Sequence, residues 1–361
     1  MYIPDSVLHN DERAVFALRA LYGSYGYTQY KMNKFEEYDL YAGNKSFLVS
    51  EDVITFTDRG GKLMALKPDV TLSIVRSAPK TAQGVRRVFY DENVYRVPKG
   101  GSSFKEIKQL GIECIGETDS YCVSEVISLA AKSLALISPE WRLEVSNLDL
   151  LSEAAELAGL SPRSKALAAE RISKKDTGGL REVCFAEGLR PQDCEPLFLL
   201  ASVCGAPAEV IKTLRGAFKS KNAKCALDET ERVLSGMPEK GVALDFSVVG
   251  DTNYYNGMVF KGYVNGIPSA LISGGRYDNL MARMGRDSRA AGFAVYIDLL
   301  GELPEPAKEY DFDVLLVAGE VAQTARAAEK LVSGGESVFV AGSADCGIRA
   351  RRTVKAEEVK S

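Results

Sequence analysis

The chain has 361 residues, 46% of them hydrophobic and 26% charged, an ordinary globular composition with room for two or three domains. Lysine and arginine number 45 against 49 aspartates and glutamates, so the net charge of -4 offers a polyanion no general attraction, and an unspecific nucleic-acid binder is disfavoured. A single histidine, His9, and seven cysteines without a Cys-x-x-Cys pair leave no basis for a zinc site, a Ser-His-Asp triad or a closed disulfide framework.

The N-terminus has no basic start followed by an apolar run, and no stretch reads as the roughly 18 apolar residues of a membrane span, so a cytoplasmic chain with no membrane contact is expected. Residues 10–27 open with an N-capping residue and an acidic first turn, then place Val15, Leu18 and Leu21 at helical spacing, with Gly23 as the stop. From Ser46 to Ile115 the text changes to short apolar or alternating runs: SFLVS, VITFTD, a Gly60-Gly61 turn, KLMAL, RRVFYDENVYRV, the KGGSS loop and FKEIKQLGIECIG. Antiparallel strands joined by hairpins fit these best.

Residues 119–137 and 149–237 read as helical, with loops at Ser161-Pro162 and Pro207. Strand-like runs resume at VALDFSVVG, YYNGMVFKGYV and SALISGG, and helix-like text follows from Tyr277. A Pro- and acid-rich stretch at 303–310 suggests a linker. Beyond it come a strand (DVLLVAG), a helix (VAQTARAAEKLVSG), a strand (SVFVAG) and a basic tail, GIRARRTVK, expected to be a solvated end. The expected fold is α+β: a body over 1–302, with one antiparallel sheet interrupted by a helical insertion at 149–237, and a partial α/β domain over 310–361.

Three segments, in this order, resemble the landmarks of histidyl-tRNA synthetases. LMALKPDVTLSIVR (63–76) is similar to the family's Leu, Arg-Pro-Glu-x-Thr run. RRVFYDENVYRVPKGGSSFKEIKQLGIECIG (86–116) is similar to the class II motif 2 strand-loop-strand ending in Gln-x-Gly-x-Glu. LDFSVVGDTNYYNGMVFKG (244–262), ISGGRYDNLMARMG (272–285) and AAGFAVYIDLL (290–300) are similar to the two histidine signatures and motif 3. The resemblance covers most of residues 10–300 and implies a class II aminoacyl-tRNA synthetase-like sheet flanked by helices, with a truncated C-terminal α/β segment, in a homodimer.

The resemblance also implies site residues. Asp69 and Thr71 stand where the family grips a ligand ammonium, and a carboxylate with a hydroxyl makes a suitable acceptor pair for its N–H donors. Gln109 and Glu113, placed on one face of a strand by its two-residue alternation, would meet the carboxylate and the imidazole of histidine. Tyr254, Tyr255 and Tyr277 would wall the flat side chain, and Gly274 and Gly275 would let the backbone come close. Taken singly, Asp69 beside Pro68 also suits a helix cap, the two adjacent tyrosines suit core packing, and the Gly-Gly pair suits a turn.

The departures bear on ATP. Class II enzymes stabilise the pentacoordinate phosphate of adenylation with fixed arginines. Counting back from Gln109 and Glu113, the motif 2 arginine falls on Tyr95; Arg96 would take its place only after a register slip requiring a bulge. The signature Val-Arg-Gly-Leu-Asp-Tyr-Tyr becomes Val249-Gly250-Asp251-Thr252-Asn253-Tyr254-Tyr255, with Gly250 for the arginine, and Leu299 replaces the motif 3 arginine. No catalytic residue, metal or cofactor is therefore expected. The resemblance implies a non-catalytic regulatory subunit of short-form ATP phosphoribosyltransferase, working with a separate catalytic subunit in a hetero-oligomer, with histidine as effector and without tRNA. A degenerate synthetase and a stand-alone amino-acid-binding protein are the alternatives.

Overall fold

The computed structural model describes residues 8–44, 48, 52–81, 84–97, 101–238, 240–250, 254–304 and 309–359. The chain divides into two compact units, Met1–Leu303 and Pro304–Ser361.

The first unit opens with helix α1 (Asn10–Ser24), started by the His9 N–H donating to Glu12 Oε2 at 3.0 Å. Then come β1 (Thr28–Gln29), β2 (Phe35–Glu37), α2 (Asp39–Ala42), β3 (Thr55–Thr57), β4 (Leu63–Leu66) and α3 (Thr71–Ser77). The long hairpin β5 (Val85–Arg96) and β6 (Lys105–Gly116) leads to α4 (Ser120–Ile137) and β7 (Trp141–Asn147). The helical block runs α5 (Leu148–Leu157), α6 (Pro162–Ser173), α7 (Thr177–Ala186) and α8 (Glu195–Ser202), then β8 (Cys204–Gly205), α9 (Pro207–Ala217) and α10 (Lys221–Leu234). The chain returns through β9 (Val242–Asp245), β10 (Met258–Val264), β11 (Ile272–Arg276), α11 (Asp278–Arg283) and β12 (Arg289–Tyr296).

Nine strands form one sheet in the order β1-β5-β6-β12-β11-β10-β7-β9-β8, and β2-β4-β3 form a small antiparallel sheet of their own. The large sheet is mixed rather than wholly antiparallel: β1 pairs parallel with β5, and β7 with β9. The second parallel pair follows from the insertion, because a chain that leaves β7 through helices and returns beside it makes a crossover, which aligns the two strands.

Two other sequence expectations change. The helix-like text from Tyr277 is helical only over α11, and residues 289–296 are strand β12; AAGFAV is a short apolar run that a buried strand and a helix share. In addition, α4 is long and apolar enough to cross a membrane by length and composition, although no such stretch was expected; it lies instead as a core helix on the sheet. Of SFLVS only Leu48 is among the described residues, as are only part of KGGSS and of the 303–310 linker.

The sheet separates two cores. On one face, Leu18 and Tyr22 of α1 and Val126, Ile127 and Ala130 of α4 bury Leu110, Ile112 and Cys114 of β6. Each such fully buried aliphatic side chain stabilises by about 1.5–3 kcal/mol. On the other face, Leu72, Ile74 and Val75 of α3 cover Val88, Tyr90 and Ile115, with Tyr254 and Tyr277 in the same cluster. Between these elements the second face stays open, and the cavity lies there.

The second unit has β13 (Phe312–Val317), α12 (Val321–Ser333), β14 (Val338–Ala341) and β15 (Ala350–Lys355), the three strands parallel in the order β14-β13-β15. The basic tail is thus not a solvated end: it supplies β15, with Arg352 paired to Glu336 at 2.7 Å and Arg349 to Asp311 at 2.9 Å.

Candidate functional site

Strand alternation sets the floor of the cavity. Gln109, Gly111 and Glu113 face the same side of β6, and Glu113 sits opposite Gly292 of β12. Gly292 has no side chain to spare: an added Cβ would run into the Glu113 carboxylate, with its Cδ only 2.7 Å away. Glu113 is 2% exposed. The Thr71 hydroxyl donates to its Oε1 at 2.7 Å, and the Tyr277 hydroxyl donates to Oε2. Burial pushes the Glu113 carboxyl up to about 8; the two hydroxyl donors oppose that shift, and the nearby Asp69 adds to it.

Asp69 sits just before α3. Its Oδ1 accepts from the Leu72 N–H at 2.7 Å, so it caps the helix and lines the cavity at once. Burial raises its carboxyl above the ordinary range, and that N–H and the charge of Arg96 hold it down. Beneath it, Lys67, fully buried, pairs with Glu92 of β5 and fixes the turn into Asp69.

The Tyr254 ring packs at a tilt against Tyr255, with ring centroids 4.7 Å apart, and against Tyr277 at 5.8 Å. The cavity these residues enclose has a volume of about 650 Å³, within the range of small-molecule sites. The structure therefore brings Asp69, Thr71, Gln109, Glu113, Tyr254, Tyr255 and Tyr277 together around it. Gly274 and Gly275 stand aside. A Cβ on Gly274 would meet Phe293 Cβ at 2.4 Å and the Gly292 carbonyl oxygen at 2.5 Å, and one on Gly275 would meet the Met258 carbonyl oxygen and Tyr255 Cδ1 at 2.8 Å, so both glycines let the neighbouring strands and rings close in.

The positions read as lost arginines behave differently from one another. Tyr95 turns away from the cavity and donates to Glu106 at 2.9 Å, whereas Arg96 is 6% exposed and lines the cavity wall. The ladder is regular there, with Arg96 opposite Lys105 and Tyr95 opposite Glu106, so no bulge is needed. The count back from Gln109 crosses the hairpin loop, where a difference of one residue changes the face. Alternation along β5 puts Arg96 on the cavity side, with Val88, Tyr90 and Val94. Among the described residues, the Arg96 guanidinium has no hydrogen-bond partner. Gly250 lines the cavity at φ +63°, a conformation that strains any side chain. Leu299 is packed on the α1/α4 core.

Sequence reasoning missed Tyr90, Lys261, Ser273 and Tyr296, which also line the cavity, and a stripe on α6: Ala166, Ala169, Glu170 and Ser173. The i, i+3, i+4, i+7 spacing of that stripe was legible, but which element it would face was not. Among the described residues no group of His, Cys, Asp and Glu is arranged to hold a metal ion.

The mixed sheet, the motif 2 hairpin and the insertion between β7 and β9 define a class II synthetase-like domain. The chain belongs to the histidyl-tRNA synthetase family, whose model matches residues 4–300. It is similar to the ATP phosphoribosyltransferase regulatory subunit of Halalkalibacterium halodurans, 31% identical over 289 residues, 77% of this chain and 72% of that one. Among solved structures it is similar to an ATP phosphoribosyltransferase regulatory subunit/histidyl-tRNA synthetase from Bacillus halodurans C, with TM-score 0.76 and 24% identity over 98% of this chain and 99% of the other. It also superimposes on a chain of the ATP phosphoribosyl transferase (HisG:HisZ) complex from Thermotoga maritima, with TM-score 0.62 and 15% identity over 80% of this chain and 97% of that one.

Proposed function

We propose that this chain is the non-catalytic regulatory subunit of a short-form ATP phosphoribosyltransferase in histidine biosynthesis, and that the cavity binds histidine as the feedback effector. The names of its relatives and its likeness to a chain of a two-component transferase complex support a separate catalytic subunit as partner. The observation that carries the effector reading is Glu113: a buried carboxylate whose two oxygens are already oriented by Thr71 and Tyr277, facing a cavity walled by tyrosines. Its remaining lone pairs suit a ring N–H. Asp69 and the Thr71 oxygen then accept from the ammonium. Gln109 and Arg96 take the carboxylate, for which a guanidinium is the stronger match. In this reading the chain assembles as a homodimer within the hetero-oligomer.

The test is reconstitution. The catalytic subunit gains activity when this chain is added, and histidine lowers that activity only in its presence; an isolated catalytic subunit equally active and equally inhibited by histidine would reject the proposal. Arg96 favours one second reading, a degenerate histidyl-tRNA synthetase, since a cation remains beside the cavity. Histidine-dependent ATP–pyrophosphate exchange by the purified chain would select it.

A further inference from the structure

The helical insertion meets the rest of its unit at both ends. Its α10 end is packed on α4 and α5, with Thr230 bonded to Asn147 at 3.0 Å and Glu229 to Arg276 at 3.0 Å. At its other end α6 stands across the cavity, backed by Leu180 and Cys184 of α7. Ser164, Ala168 and Ile172 of α6 are buried against its helical neighbours, while Ala166, Ala169, Glu170 and Ser173 look onto the cavity from the next face. The residues after α6 reach the sheet: Lys175 Nζ lies 2.6 Å from Asp245 Oδ2. Asp245 is 2% exposed at the end of β9, and Ser247, Val249 and Gly250, which follow it, line the cavity too.

Lys175 is an unexpected residue at this point. It follows the C-cap of α6 at φ +53°, the one described non-glycine residue in the left-handed region. Helix ends use glycine or asparagine here, because a Cβ in this conformation costs about 1 kcal/mol. Lysine gives the backbone nothing in return, but it puts an ammonium on a buried carboxylate. That pair ties the end of α6 to the sheet.

We propose that α6 and α7 are a lid over the cavity and that the Lys175–Asp245 ion pair latches it, so that the lid sets how fast a bound effector leaves. The identity of that effector rests on the proposed function above; the latch itself does not. The small residues on the facing stripe leave the inner cavity free, and Glu170 is drawn along α6 to Lys174 at 2.6 Å rather than into the site.

Hydrogen–deuterium exchange on the full chain tests the latch without any ligand. Lys175→Gly removes the ammonium and suits the φ, so relief of the strained backbone offsets part of the cost of leaving the Asp245 carboxylate unpaired, and amides in 162–186 exchange at least fivefold faster. Asp245→Asn gives the same local acceleration, and the double variant opens no further than either single one. Arg163→Ala, on the exposed side of α6, leaves exchange unchanged. With histidine bound, stopped-flow dissociation accelerates at least fivefold in Lys175→Gly. Unaltered exchange in 162–186 in both single variants overturns the lid. Absence of histidine binding to the unmodified chain overturns the effector reading, and the exchange data still decide the latch.

Discussion

Replacing Glu113 by glutamine separates the two roles of that side chain, because stability and ligand affinity move in opposite directions. In the native pocket both carboxylate oxygens accept hydroxyl hydrogens, from Thr71 and Tyr277. A glutamine keeps the size but turns one acceptor into an N–H₂ donor, which then faces a hydroxyl donor and loses the charge that favours a ring N–H. Hydrogen bonds to charged partners contribute about 1.5–3 kcal/mol, so histidine affinity falls by roughly 10- to 150-fold. The effect on the empty chain has the other sign at high pH. The carboxyl is held at about 8 against an ordinary value of 4.5, so between those values the folded chain binds the proton that the unfolded chain has released. Stability from this group is present below pH 4.5 and lost as pH rises through 8, by up to about 5 kcal/mol if the whole shift is expressed. Denaturant unfolding of the empty chain at pH 5 and pH 8, with calorimetric titration of histidine at pH 7.5, measures both. The variant has a smaller loss of stability between the two pH values than the native chain, and weaker histidine binding. An identical pH dependence would mean that Glu113 is not the buried titrating group, and an unchanged affinity would place the effector elsewhere.

Arg96→Ala lowers histidine affinity at least tenfold but leaves binding of histidinol, which lacks the carboxylate, nearly unchanged; equal losses for both ligands would show that Arg96 shapes the cavity rather than holding the carboxylate. Tyr277→Phe leaves Glu113 Oε2 without its donor, so the Glu113 carboxyl titrates higher still, and histidine binding weakens most at and below neutral pH and recovers in alkali, read as an affinity–pH profile shifted upward. Gly292→Ala drives a methyl into the Glu113 carboxylate and costs about 1–3 kcal/mol in chemical denaturation, together with histidine binding. Asp119→Ala removes the carboxylate that accepts from Cys122 N at 2.9 Å at the start of α4 and costs about 1 kcal/mol of stability with no change in histidine affinity, since α4 lies on the far side of the sheet.

The strands around the cavity were legible because each alternates, and β5 and β6 are long enough for the pattern to be unmistakable. Gln109 and Glu113 could be placed on one face by that rule alone, and Asp69 was open to two readings that are both true in the structure: it caps α3 and lines the cavity. The same rule would have chosen Arg96 over Tyr95 had the count started from Tyr90 on the same strand instead of crossing a loop of unknown length. The parallel pairs were not legible, since two-residue β1 and the return beside β7 depend on where distant segments meet. The glycines of β11 look alike in sequence whatever they admit, and their neighbours, the backbones of β10 and β12 with Phe293, Phe260 and Tyr255, appear only in the fold. The basic tail misled because charge patterning describes a surface, and an edge strand such as β15 keeps its charges outward while its backbone pairs.

The retained Arg96 narrows what the missing cations imply about ATP. One guanidinium is in place at the cavity, so activation is not lost for want of every cation. The other two positions are closed to simple reversal for different reasons. An arginine at Gly250 would have to adopt φ +63° beside Tyr255, whose ring lies 3.3 Å from where its Cβ would stand. An arginine at Leu299, which is half-buried, would give up an apolar contact with the α1/α4 core for a partly desolvated charge. Each change thus damages the fold before it helps a phosphate, and a chain carrying Gly250→Arg and Leu299→Arg loses stability without gaining ATP–pyrophosphate exchange. Gain of exchange without loss of stability would mean that the backbone around these residues rearranges freely, and that the absent arginines alone separate this chain from an active synthetase.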